Sequence, residues 1–301
     1  MNWEKKKREL RYRWFSWKHF PELTPSTEEI DVVIPIISKD LLTLPLCLDG
    51  IRHCVANKVK DIFIVAPAQQ EILDFCKVNR LTFIDENSVF GYSPMSLDII
   101  TNDGRNRSGW IFQQFVKLSG KIGSCRYYLC IDADHVLIRP HVFLTEKNET
   151  VFYLSYEENQ FYYNMIHRIL PELEILNLSY VDHKMLFDKE QVVQLHNAIC
   201  KNSLTAGQSV AAQCEVEPWQ KAILDNLDLS TISGFSEYET YGNFVQKKVL
   251  RPWLQKRLPY SKMTDYDTLQ RKYSGNRWSL TFPDYMRQNQ KFKASYDDKN
   301  Y

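Results

Sequence analysis

Apolar and polar residues fall in blocks along this chain rather than strictly alternating. Four short apolar runs stand out: Asp31–Ile37 (DVVIPII), Asp61–Ala66 (DIFIVA), Leu81–Ile84 and Tyr127–Ile131 (YYLCI). Runs without a polar residue at every second position predict strands buried on both faces. Between them, Lys39–Val55, Gln70–Val78 and Ser108–Ser119 predict helices, with Pro45 restricting the first turn of the first. Strands alternating with helices predict an α/β fold with parallel crossovers. Phe90–Arg107 reads as a turn-rich, mobile loop. Further on, Ser179–Phe187 reads as a strand with a polar exit, and Lys189–Cys200 and Val216–Asn226 as helices. Ahead of all this, residues 1–20 predict one helix. Trp3, Leu10, Trp14 and Trp17 recur at spacings of seven, four and three, which places them on one face. Lys5, Lys7, Arg8 and Arg11 lie mostly off it. Such a face suits a membrane surface, the protein's own body or a second subunit. Pro21–Glu29 is a polar connector.

Composition narrows the class. The chain has 301 residues, 44% hydrophobic and 13% aromatic, enough for a sizeable core. No run approaches the roughly 18 apolar residues of a membrane span, and the first twenty residues lack the apolar centre of a secretory signal. Seven cysteines without C-x-x-C read as scattered thiols. These features predict a cytoplasmic protein, with peripheral contact at the inner face of a membrane through residues 1–20 as an option. The net charge of +1 conceals a split. Residues 1–20 hold seven Lys/Arg and two Glu, and residues 251–301 hold eleven Lys/Arg and five Asp, around an acidic middle. Basic ends predict an anionic partner or surface, or ends folded back on the body. The expected organisation is a basic helix and linker over 1–27, a catalytic domain over 28–250, and a basic aromatic extension over 251–301 packing on that domain.

Candidate chemistry centres on Tyr127–Pro140, YYLCIDADHVLIRP. Asp132 and Asp134 sit at the exit of an apolar strand, where unpaired charge is costly. A divalent cation with oxygen ligands would offset that cost; a turn or a helix cap is the plainer alternative. Trp110, Gln113, Gln114 and Lys117 share one face of the helix just before this strand. Gly242, in FSEYETYGNF, permits a tight turn or a close backbone approach.

The aspartate pair resembles the D-x-D motif of GT-A nucleotide-sugar glycosyltransferases. Four further stretches accompany it in order over residues 30–245: a buried first strand, G-W-x-x-Q-Q-x-x-K, H-K-M-L-F and S-E-Y-E-T-Y-G. The last resembles a signature of a poorly characterised glycosyltransferase-like family associated with polysaccharide biosynthesis. The resemblance implies a GT-A-like (Rossmann-like) α/β fold: a mostly parallel central sheet flanked by helices, with helical terminal extensions. It implies Mn2+ or Mg2+ on Asp132 and Asp134, a nucleotide-sugar donor, and a glycan or glycolipid acceptor. Donor contacts would fall to Asp40, Arg105, Arg107, Trp110, Gln114, Lys117 and Asp132, and acceptor contacts to His183, Lys184 and Tyr238. His183 could equally bind the metal or hydrogen-bond locally. Glu237 would be the general base of an inverting transfer, with Glu239 and Asp182 behind it. Members similar to glycogenin carry a small N-S/A-G cluster where this chain has Asp182, His183 and Lys184. A metal-dependent nucleotidyltransferase or phosphohydrolase is the second class, and a nucleic-acid-binding protein the third. The acidic middle disfavours the last, so no nucleic acid is expected.

Overall fold

The computed structural model describes residues 3–202 and 212–287. The apolar runs become the strands β1 (Ile30–Pro35), β2 (Val59–Ala66), β3 (Thr82–Asp85) and β4 (Tyr127–Ile131). Every residue of β1 and β4 is buried, as their lack of polar alternation requires. The helices around them are α1 (Trp3–Ser16), α2 (Leu44–Cys54), α3 (Gln70–Asn79), α4 (Glu86–Phe90) and α5 (Ser108–Leu118). The helix expected over Lys39–Val55 is split: Ser38–Leu42 is a 3-10 turn, and Pro45 opens the first turn of α2. The turn-rich stretch before α5 contains α4's last residue and a 3-10 turn at Pro94–Leu97.

The second half continues with β5 (His135–Leu137), β6 (Thr150–Leu154), α6 (Gln160–Ile169), β7 (Lys184–Asp188), α7 (Lys189–Asn202), α8 (Pro218–Asp225) and α9 (Glu237–Phe244). It ends with β8 (Lys248–Pro252), β9 (Gln255–Arg257), α10 (Tyr266–Tyr273) and β10 (Ser279–Thr281). The fold is α/β, and its central sheet has the order β3-β2-β1-β4-β7. All its pairings are parallel except β4 with β7. The chain steps outward from β1 to β3, then returns past β1 to form β4. The switch in direction therefore lies between β1 and β4, where open α/β sheets form a crevice beyond the strands' carboxyl ends.

One expectation about direction is corrected. Ser179–Phe187 is not a strand with a polar exit; the strand begins at Lys184 and runs antiparallel to β4, with Ile131 opposite Lys184. Asp182 and His183 thus stand at its entrance, beside the end of β4. An antiparallel partner brings its first residues to the same sheet edge as its neighbour's last.

β5, β10 and β9 form a second sheet, and β6 pairs with β8 in a third. Strands of three residues are too short to show a period. α2 crosses β5 at Gly50, where an added Cβ would stand 2.7 Å from the Leu137 amide nitrogen. Residues 251–287 therefore share sheets with the middle of the chain, and the Phe282 amide donates to the Asp134 carbonyl at 3.0 Å. The expected extension at 288–301 lies outside the described residues. The basic ends do meet the acidic body in places: Arg8 lies 3.9 Å from Glu158, and Arg257 pairs with Glu157. Among the described residues, no helix is long and apolar enough to cross a membrane.

Candidate functional site

β4 carries Asp132 to the crevice at the sheet's switch point. Its Oδ1 accepts from Lys117 Nζ at 2.7 Å, and the Tyr238 hydroxyl stands 3.5 Å from the same oxygen. Its Oδ2 lies 3.1 Å from His183 Nδ1. The backbone ties these residues together as well, since the Asp132 amide donates to the His183 carbonyl at 2.9 Å. Asp132, Asp134 and His183 each offer one ligand atom, all within 4.8 Å of one another, so the three could hold a metal ion. His183 has φ +59°, a left-handed conformation uncommon for a residue with a side chain. Strain of this kind gathers at functional sites. Its Nε2 is buried without a hydrogen-bond partner.

Charge is distributed unevenly over the cluster. Burial works against an ionised Asp132, but the Lys117 ammonium and His183 outweigh it and hold that carboxyl well below the usual range. Burial pushes Asp134 the other way, up to about 6, with the Asp132 and Asp40 charges adding to the rise. For His183, burial opposes the charged ring, but the bond and charge of Asp132 overcome it and raise its pKa. Two carboxylates and one imidazole supply a mixed oxygen and nitrogen donor set. The orphaned buried nitrogen and the carboxylate pair fit a divalent cation, which would offset their desolvation.

Lys117 links this cluster to the helices behind it. It is 4% exposed, and its Nζ also lies 3.0 Å from Glu237 Oε1 and 4.6 Å from the centre of the Tyr238 ring. Gln114 is buried too; its Oε1 accepts from the Glu237 amide at 3.2 Å, joining α5 to α9. The polar face of α5 is therefore packed rather than solvated. α9 starts with Ser236 as its cap, yet Glu237 and Glu239 are 4% and 1% exposed. Glu239 accepts from the Ser179 hydroxyl, with Asn243 Nδ2 at 3.4 Å, and burial pushes it up to about 7. Gly242 packs where a Cβ would stand 2.3 Å from the Tyr180 ring.

Asp182 and Lys184 form a buried ion pair beside His183. Burial pushes Asp182 up to about 7 and Lys184 down. Asp182 Oδ1 has no hydrogen-bond partner. Asp40 folds back to accept from the Ile37 amide at 3.0 Å in the turn after β1, and burial raises it. Arg105 pairs with Asp103 at 3.2 Å in an exposed turn. Arg107 stacks on Trp110 at 4.3 Å, and the two line a shallow open depression with Ile99, Leu229 and Gly234. The structure thus brings together Asp132, Asp134, His183, Lys117, Tyr238 and Glu237, and ties Arg105 and Arg107 into local pairs.

Three neighbours of the cluster were not among the expected site residues. His135 stacks on His183 with ring centres 6.0 Å apart and meets Thr281 Oγ1 at 3.0 Å. Its position directly after D-x-D was the available signal. Lys39 and Asp284 form an ion pair of 2.9 Å across the turn after β1 and the last described segment. No local pattern pairs residues 245 positions apart.

The fold and cluster define a mixed α/β protein with a parallel-dominated sheet and a carboxylate–imidazole group at its switch point. Residues 27–274 match a family of unknown function, DUF6492, and the chain belongs to that family. No curated protein sequence matches it. Among solved structures it is similar to mouse xyloside xylosyltransferase 1, with 9% identity and a TM-score of 0.42 over 86% of this chain and 99% of that one. It is also similar to the bifunctional glycosyltransferase WbbM, with 12% identity and a TM-score of 0.42. That likeness covers 89% of this chain and 47% of WbbM, so the chain spans about half of that protein.

Proposed function

We propose that the chain is a metal-dependent glycosyltransferase. It moves a sugar from a nucleotide-diphosphate sugar, a uridine diphosphate sugar in the first instance, to a hydroxyl of a glycan acceptor. The observation that carries this reading is the meeting of Asp132, Asp134 and His183 within 4.8 Å at the sheet's switch point. That crevice is where such sheets bind ligands, and a diphosphate has oxygens to complete the shell of a hard cation. Bound Mn2+ or Mg2+ would neutralise charge gathering on the departing nucleoside diphosphate.

The protein's own residues do the rest. Lys117 keeps Asp132 ionised and aimed, and Tyr238 backs the same oxygen. Glu237 is held by Lys117, and Glu239 by Ser179 and Asn243. Asp182 keeps one buried oxygen without a partner. We keep Glu237, paired with Lys117 beside Asp132, as the base that takes the acceptor's proton, with Glu239 and Asp182 behind it. The acceptor oxygen bonds to the anomeric carbon as the bond to the diphosphate breaks, with inversion.

The test is a thermal-shift panel of nucleotide sugars with and without Mn2+, followed by turnover of any donor that binds. A ligand that binds the native state alone raises its melting temperature. One donor should stabilise the protein only with metal, and Asp134→Ala should abolish that shift while leaving the far-ultraviolet dichroism unchanged. Full turnover by Asp134→Ala, or in chelator, overturns the metal role. Release of pyrophosphate or inorganic phosphate in place of a nucleoside diphosphate identifies a nucleotidyltransferase or phosphohydrolase instead.

A further inference from the structure

α1 has two apolar faces, and among the described residues only one of them is packed. The inner face holds Arg8, Tyr12 and Phe15. Tyr12 is 8% exposed, packs against Tyr156 with ring centres 5.3 Å apart, and accepts from the Leu254 amide at 3.2 Å. Arg8 donates to the Glu157 carbonyl at 2.8 Å and to the Tyr163 hydroxyl. Phe15 meets Phe20 edge-on. These contacts clamp the helix to the body and fix which side points outward.

The outward side carries Trp3, Leu10 and Trp14, with Trp17 just past the helix end. They are 67%, 62%, 66% and 84% exposed. Three tryptophans and a leucine along one line form an apolar feature that the described residues leave largely in solvent. Basic residues flank the line on both sides: Lys6 and Arg13 on one, Lys7, Arg11 and Lys18 on the other, all exposed. Lys18 sits 3.9 Å over the Trp14 ring and Lys7 5.7 Å over the Trp3 ring. Glu9 is held by Arg13 at 2.9 Å, so its charge is matched locally. Indoles favour the boundary between headgroup and acyl chain, and the flanking cations favour anionic headgroups. A helix of 14 residues lies flat there, since it spans only about 21 Å at 1.5 Å per residue.

We propose that the outer face of α1 docks the protein on an anionic lipid surface, with Trp3, Leu10, Trp14 and Trp17 in the interface and the flanking cations on the headgroups. The claim is independent of the transfer reaction. Charge complementarity selects this occupant: a second copy of the helix would set the two basic flanks against each other.

The test is co-sedimentation of the full chain with vesicles of phosphatidylcholine alone and of phosphatidylcholine with phosphatidylglycerol at 3:1. The protein should partition at least tenfold more into the anionic vesicles, with indole emission shifted to the blue and quenched by brominated acyl chains. Trp3→Ala/Trp14→Ala/Trp17→Ala should lower partition at least tenfold and keep the melting temperature, because the three side chains touch little of the body. Lys6→Gln/Arg11→Gln/Lys18→Gln should erase the preference for anionic vesicles. Equal partition of the wild type into both vesicle types, or of the tryptophan variant and the wild type, overturns the proposal. A lipid-free dimer split by the tryptophan changes overturns it too, by making the face a contact between copies.

Discussion

Lys117→Met would remove the cation that Asp132 and the buried Glu237 share. Lys117 Nζ stands 2.7 Å from Asp132 and 3.0 Å from Glu237, and its side chain is 5% exposed. At an effective dielectric of about 20, each contact is worth roughly 5–6 kcal/mol of Coulomb energy, before subtracting the cost of stripping water from three ions. Methionine fills a similar volume, so the change leaves little void. What it leaves is a buried Glu237 without its cation and an Asp132 held by His183 alone, and breaking a buried pair from one side costs about 3–5 kcal/mol. Urea unfolding in chelator at neutral pH should show a loss of that size. Glu237→Gln in the same chain removes that stranded charge, so Lys117→Met/Glu237→Gln should regain part of the loss, with a coupling energy of about 1–3 kcal/mol. A single variant within about 0.5 kcal/mol of the wild type, or two changes whose effects simply add, would refute the shared-cation account.

Two further outcomes follow from the buried surroundings of α9. Gly242→Ala should destabilise the fold by about 1–3 kcal/mol in the same urea assay, because its Cβ would fall 2.3 Å from the Tyr180 ring; an unchanged midpoint would mean that the ring moves aside freely. Glu239 has its pKa raised by burial from 4.5 to about 7. Between those values the folded chain keeps a proton that the unfolded chain releases, so this group's stabilisation is full below pH 4.5 and is lost as pH rises through 7, by about 3 kcal/mol. Glu239→Gln should flatten the stability profile between pH 5 and pH 8, and an unaltered slope would place the titration elsewhere.

Much of the frame was legible because burial on both faces leaves a plain mark. β1, β2, β3 and β4 lie within two residues of their apolar runs, and α3 and α5 match their helical windows. The direction of β7 was not legible, because HKMLF reads alike in either orientation and only its pairing with β4 sets which end meets Asp132. β5, β9 and β10 have three residues each, too few for a pattern, and β5 lies more than a hundred positions from the other two. In the site, D-x-D at a strand exit located the centre, and His183 joined it through that unforeseen strand reversal. The burial of the SEYET glutamates was not legible, since a local window shows their charge and not the α5 surface packed against them. Lys117 was expected to face a ligand; its partners are Asp132 and Glu237, which only the packing of α5 between sheet and α9 reveals.

The most direct measurement is the electron paramagnetic resonance signal of Mn2+ titrated with the intact chain, with and without uridine diphosphate. The account predicts one bound Mn2+ per chain, held more tightly when the nucleotide is present, and at least tenfold weaker binding in Asp134→Ala and in His183→Ala. Binding that is absent from the wild type, or equal in all three proteins, would contradict it.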